Sequence, residues 1–244
     1  MPHAALSINV RGIKKSFQAI NALDGLTLDF TSGRMHGVIG PEGAGKTTLM
    51  RIILKLLKPT EGCVEFKREG NPISFEDIRP DIAYMPQSQS LYPDLSIGEH
   101  LDFFRNLYGI PDELYTSRRE ELLKITRLTE FTSRPAGKLS GGMYKKLGLM
   151  CALLRSPKIM LLDEPTNGVD PISRREFWEL LYILSDQNIL IVVTTAYMDE
   201  AERCGHVHLL EKGRLVIEGS PRELLEAEKA KNFDELFLRR GAHD

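Results

Sequence analysis

Residues 37–50 read Gly37-Val38-Ile39-Gly40-Pro41-Glu42-Gly43-Ala44-Gly45-Lys46-Thr47-Thr48-Leu49-Met50. A short apolar run stops at a glycine-rich turn, and a helical pattern opens near Lys46. Gly40 to Thr47 satisfies GxxxxGK[ST] in the strand-before, helix-after context that gives this motif its meaning. The glycines let the backbone curl its N–H groups around a phosphate, and the helix N-terminus adds the positive end of its dipole. Lys46 is placed to reach β- and γ-phosphates as a point charge, and the Thr47 hydroxyl to ligate Mg²⁺. The expected nucleotide-binding set is Gly40, Pro41, Glu42, Gly43, Ala44, Gly45, Lys46, Thr47 and Thr48.

A second apolar run, Ile159-Met160-Leu161-Leu162, ends in Asp163-Glu164. At the mouth of a parallel strand Asp163 can hold Mg²⁺ through water, and Glu164 can orient or deprotonate an attacking water. A third run, Ile189 to Thr194, has the same character. Strands continuous in apolar residues and each followed by a helix mean a parallel sheet covered on both faces. Leu6 to Arg11 and Leu26 to Phe30 alternate instead, which predicts a half-exposed antiparallel sheet beside the parallel one. From about 90 to 156 the chain shows only helical patterns. The expected fold is therefore α/β, a mainly parallel core with an antiparallel β subdomain at the N-terminus and an inserted helical subdomain. One domain spans 1–244, with the core in 1–89 and 157–225, the helical part in 90–156, and a solvated helix and tail in 226–244.

The chain has 244 residues, 42% hydrophobic and 27% charged, enough for a buried core without disulfides or structural metals. A formal net charge of -2 gives no support to a nucleic-acid partner. Three widely spaced cysteines read as buried free thiols of a reducing cytoplasm. No window approaches a membrane span, so a cytoplasmic chain that meets the membrane through a partner is expected. The helical spacing of Phe103, Phe104, Trp178 and Tyr182 assigns them to packing. His206 and His208 fall away from the strand edge facing the phosphate and read as structural.

Leu139-Ser140-Gly141-Gly142, shortly before the acidic strand, resembles the signature motif of ATP-binding cassette (ABC) ATPases, members of the P-loop NTPases. The other motifs of that family follow in order. Gln87 after Tyr84-Met85-Pro86 is similar to the Q-loop glutamine, Asn167-Gly168-Val169-Asp170 to the D-loop, and Phe17 to the aromatic that stacks on adenine. The resemblance implies ATP and Mg²⁺ as ligands and makes Glu164 and Gln87 the catalytic pair. Thr47, Gln87 and Asp163 become the metal set, and Phe17, Ser140, Gly141, Gly142 and Asp170 join the nucleotide-binding residues. LSGGM, GVDPISRREFWELL and TTAYMDEAERC are more locally similar to ATPase subunits of ABC-2-type drug and polysaccharide exporters.

Ser140 is also a good N-cap, and Gly141-Gly142 leave backbone N–H groups at a helix start. In the family this second anion site completes the pocket of the opposite subunit. The resemblance thus implies a head-to-tail ATP sandwich, either a homodimer or with an unlike ATPase domain, driving an ABC-2-type permease at the inner face of the cell membrane. Gln87 would couple nucleotide state to the helical part, and residues around Tyr92 to Leu101 would receive the permease.

Two positions depart from the family. Met143 replaces its commonest residue, glutamine, and Ala196 stands where most members present a histidine that contacts the γ-phosphate. A methyl makes no such contact, so reduced hydrolysis is expected, with Tyr197 or Thr195 as substitute donors. The alternatives are an ATP-gated dimerisation switch with little turnover, and a soluble non-transport ABC ATPase.

Overall fold

The computed structural model describes residues 5–88 and 91–241, the side chains of 240 and 241 excepted. The sequence boundary at 89/90 therefore lies outside the described residues, as do the two chain ends.

The chain opens with β1 (Leu6–Phe17) and β2 (Ile20–Thr31), then β3 (Met35–Ile39) and α1 (Lys46–Ile53). β4 (Glu61–Arg68), β5 (Asn71–Ile73), α2 (Phe75–Ile78) and β6 (Ile82–Met85) follow. α3 (Ile97–Tyr108), α4 (Asp112–Thr126) and α5 (Gly141–Leu153) come next, and among the described residues from 91 to 158 no strand interrupts them. The chain then returns to strands with β7 (Ile159–Asp163), α6 (Pro171–Ser185), β8 (Leu190–Thr195), β9 (His206–Glu211) and β10 (Arg214–Gly219). It ends in α7 (Pro221–Ala227) and α8 (Phe233–Gly241).

β1, β2, β4 and β5 form an antiparallel sheet in the order β2-β1-β4-β5. The second sheet runs β10-β9-β3-β8-β7-β6, parallel throughout except for β10. Its strands are apolar on both faces because both are covered. In β7, Ile159 and Leu161 pack toward α1 and the antiparallel sheet, whereas Met160 and Leu162 pack toward α5 and α6. Each such buried side chain contributes roughly 1.5–3 kcal/mol. In β2 the alternation is clean, with Leu26, Leu28 and Phe30 buried and Thr27 and Asp29 exposed.

Helix starts follow their caps. Ser96 and Glu99 form a reciprocal capping box on α3, Ser140 caps α5, and Asp170 caps α6 with Pro171 in the first turn. Trp178 on α6 is fully buried, as its spacing predicts, and Phe104 packs partly buried against the core; Phe103 and Tyr182 remain 38% and 40% exposed. Cys151 and Cys204 are buried, but Cys63 is exposed because it lies on the outward face of β4. The C-terminal helix is not merely solvated. Phe233 and Leu236, three residues apart on α8, are buried in one cluster with Met198 and Ala201 of the segment that follows β8 and with Leu224 of α7.

Candidate active site

The strand order decides where the motifs meet. β8 lies between β3 and β7, with Ile39 paired to Thr195 and Asp163 paired to Thr194. The phosphate loop, the acidic pair and Ala196 thus share the carboxyl ends of three adjacent parallel strands. The Gly40 amide donates to the Thr195 carbonyl at 3.2 Å, which places Ala196 beside the loop's first residue.

A cleft of about 500 Å³ is lined by residues 42–48 with Phe17, Gln87 and Glu164. Gly40 and Pro41 do not line it; their carbonyls accept hydrogen bonds from Lys46 Nζ at 2.8 and 2.9 Å and hold that ammonium at its edge. Gly43 and Gly45 have φ of 78° and 99°. At Gly45 a Cβ would sit 2.4 Å from the Ala22 carbonyl oxygen, so this turn takes no side chain. Phe17 ends β1 at 46% exposure, with Lys15 Nζ 5.2 Å from its ring centroid and the ring bordering the cleft.

Glu164 is the hub. It sits at φ 45° directly after β7, a left-handed conformation that costs a non-glycine residue about 1–2 kcal/mol. Its amide is held by the carbonyl of Thr194 at 3.1 Å and the hydroxyl of Thr194 at 3.0 Å. Its carboxylate pairs with Lys46 at 3.1 Å and accepts from Gln87 Nε2 at 2.8 Å and Asn167 Nδ2 at 3.3 Å. Asp163 is fully buried, accepting from Thr47 Oγ1 at 3.2 Å, Thr194 Oγ1 at 2.6 Å and the Tyr84 hydroxyl at 3.4 Å. Burial, reinforced by Asp163, pushes Tyr84 up to about 12, so its hydroxyl keeps its proton and donates. Thr47 and Asp163 together offer the hard oxygen donors that suit Mg²⁺.

Ser140, Gly141, Gly142 and Asp170 do not line this cleft. They lie together elsewhere: a Cβ on Gly141 would be 3.7 Å from the Gly168 carbonyl oxygen. The Ser140 hydroxyl accepts from Met143 N at 3.3 Å, and Asp170 from Ser173 N at 3.0 Å. That backbone donor holds the Asp170 carboxyl below its ordinary range. Gly142 has a packing role beside any anion-binding one, because its Cβ would lie 2.4 Å from Ser173 on α6.

Thr194 and Lys145 belong to the site but carry no motif signal, whereas Asn167 opens the D-loop stretch and Tyr84 lies just before Gln87, with neither motif marking them as partners of the acidic pair. Lys145 on α5 donates to the Gln87 carbonyl at 3.2 Å, tying the helical part to the Glu164 partner. Tyr197, 38% exposed, reaches Asn167 Oδ1 at 3.4 Å. The Thr195 hydroxyl is taken up locally, accepting from Tyr197 N at 3.0 Å.

The ABC transporter family profile matches residues 23–167. A probable multidrug ABC transporter ATP-binding protein, YbhF of Escherichia coli (strain K12), is 42% identical over 234 residues, covering 93% of this chain and 39% of its own length. The chain therefore spans well under half of that relative. The Nod factor export ATP-binding protein I of Ralstonia nicotianae is 34% identical over 231 residues, covering 94% and 72%. The solved ATP-binding subunit of an ABC transporter superposes with a TM-score of 0.80 at 28% identity, over 95% of this chain and 98% of that one. A dimeric post-hydrolysis cassette bound to ADP and Pi superposes with a TM-score of 0.75 at 26% identity, over 87% and 98%. Phosphate loop, acidic strand and family match converge, and the chain belongs to the ABC transporter family as one of its ATP-binding ATPase domains.

Proposed function

We propose that this chain is the ATP-hydrolysing motor of an exporter, acting on a separate ABC-2-type membrane permease from the inner face of the cell membrane. The observation that carries the reading is the convergence of Lys46, Gln87 and Asn167 on the Glu164 carboxylate. Residues 43–48 and Lys46 bind the phosphates, and Phe17 stacks on the base. Mg²⁺, held by Thr47, Gln87 and Asp163, supplies charge neutralisation on the phosphate oxygens. Glu164 orients the attacking water and accepts its proton, while Gln87 passes the state of that carboxylate through Lys145 to α5. Ser140, Gly141, Gly142 and Asp170 face a second ATPase domain, a copy of this chain or an unlike one, in a head-to-tail sandwich. The dimeric relative with ADP and Pi supports that arrangement. The export named for the relatives supports the direction of transport.

Ala196 supports a second reading, a switch that closes on ATP with little turnover. Its methyl is half-buried at the end of β8 and offers no hydrogen bond to a γ-phosphate. Steady-state hydrolysis by wild type and Ala196→His decides between them. A slow wild type accelerated by the histidine, about 10²-fold where such a contact is fully restored, supports a motor with a weakened site. A fast wild type with no gain overturns the slow-site reading, and no hydrolysis in either chain favours the switch. Co-purification of the tagged chain with a multispanning membrane protein tests the transport role.

A further inference from the structure

At the end of β3 opposite the phosphate loop, three histidines gather between the two sheets. His36 on β3 is paired with His206 on β9, and His208, two residues further along β9, is paired with Glu218 on β10. The ring centroids of His206 and His208 are 4.8 Å apart, and those of His36 and His208 are 5.4 Å apart in a stack. Phe30 closes one side, edge-on to both His36 and His208.

We propose that His206, His208 and Glu218 bind a divalent transition-metal cation of the zinc type, with His36 as the outer partner that orients His208. One ligand atom from each of the three lies within 4.8 Å of the others. Two imidazoles and a carboxylate form a zinc donor set, and tetrahedral ligands 2.0–2.1 Å from the metal stand about 3.3 Å apart. The remaining approach falls on His206, half-buried, and Glu218, exposed, while His208 is fully buried and fixed. The ionisable groups facing His206 are His208, Arg34, Glu218 and Glu223.

The hydrogen-bond chain behind His208 fits a metal as well as it fits a proton. His208 Nδ1 is 2.9 Å from Glu218 Oε2, and its Nε2 is 3.2 Å from His36 Nδ1. His36 Nε2 lies 3.0 Å from both the amide and the carbonyl of Thr31. Run one way, the Thr31 amide donates to His36, His36 to His208, and His208 Nδ1–H to Glu218. Run the other way, His36 Nε2–H donates to the Thr31 carbonyl and His208 Nε2–H to His36 Nδ1. His208 Nδ1 then turns a lone pair toward Glu218, where a cation must sit. A ligating histidine whose other nitrogen donates inward is the usual outer-shell arrangement.

The full chain, stripped with EDTA and free of nucleotide, is titrated with ZnCl2 by calorimetry and with CoCl2 by visible absorption. One equivalent with an intense tetrahedral cobalt band is expected. His206→Ala and Glu218→Gln each weaken binding at least tenfold, and His36→Gln weakens it about 10–100-fold. Nitrogen NMR of the histidine rings shows His36 and His208 passing from Nδ1–H to Nε2–H as zinc is added. Both ligand variants change residues at least partly open to solvent, so the test survives if changes at His208 impair folding. Failure of wild type to bind, affinity kept in both ligand variants, or tautomers unmoved by zinc overturns the proposal.

Discussion

The Lys46 ammonium and the Glu164 carboxylate stand 3.1 Å apart, with side chains 4% and 9% exposed, so the phosphate lysine and the acidic hub are each other's partner. An arriving phosphate competes with Glu164 for the same positive charge. On the proposed role of Glu164, that exchange would tie nucleotide binding to release of the carboxylate for work on water.

Glu164→Gln removes the competing anion while keeping the shape of the hub. We expect ATP to bind at least as tightly as to wild type and hydrolysis to fall by about 10²-fold or more. Equilibrium nucleotide binding and single-turnover product release on the same preparation check both halves.

Tyr197 reaches the hub through Asn167, at 3.4 Å to Asn167 Oδ1 and then 3.3 Å from Asn167 Nδ2 to Glu164. Its hydroxyl hydrogen is directed to Asn167 and not toward the phosphate cleft, so the role proposed for it is positioning. Tyr197→Phe should lower kcat a few-fold and leave KM for ATP unchanged. A changed KM with kcat preserved in steady-state assays would contradict this role.

Gly142 lies where α5 crosses the start of α6, and a Cβ there would approach Ser173 Cβ and Oγ to 2.4 Å. Gly142→Ala should therefore destabilise the fold by about 1–3 kcal/mol through overpacking. Adding Ser173→Gly removes both clashing atoms, and a double-mutant cycle in urea should show recovery beyond additivity.

Burial pushes the Cys151 and Cys204 thiols from 9.0 up to about 12, whereas Cys63 is exposed. In the native protein one thiol should react with a disulfide reagent near pH 8, and three after denaturation. The two buried groups ionise more readily in the unfolded chain. Their contribution to stability is whole below pH 9 and is lost as pH rises toward 12. Urea midpoints measured at increasing alkaline pH should fall accordingly.

The phosphate loop, the acidic pair and the LSGG helix start were legible because each is local chemistry. Backbone turns, caps and adjacent side chains need only their neighbours in the chain. Three readings fell short because exposure is not a local property, the first being the assignment to packing of Phe103 and Tyr182, which are 38% and 40% exposed. Cys63 faces outward on a strand of the antiparallel sheet, and α8 buries Phe233 and Leu236 against a segment some thirty residues earlier.

By itself the sequence determined that this chain folds as an α/β protein around a triphosphate loop, and its resemblance to the family marked Ala196 as a departure. Only the tertiary structure decided that Gln87, Asn167 and Lys46 share the Glu164 carboxylate, that Gly142 is needed against Ser173, and that His206 and His208 meet Glu218. Those contacts depend on the order β10-β9-β3-β8-β7-β6, which brings distant residues into register. Strand order is set by which faces bury together, and no single stretch of the chain carries that information.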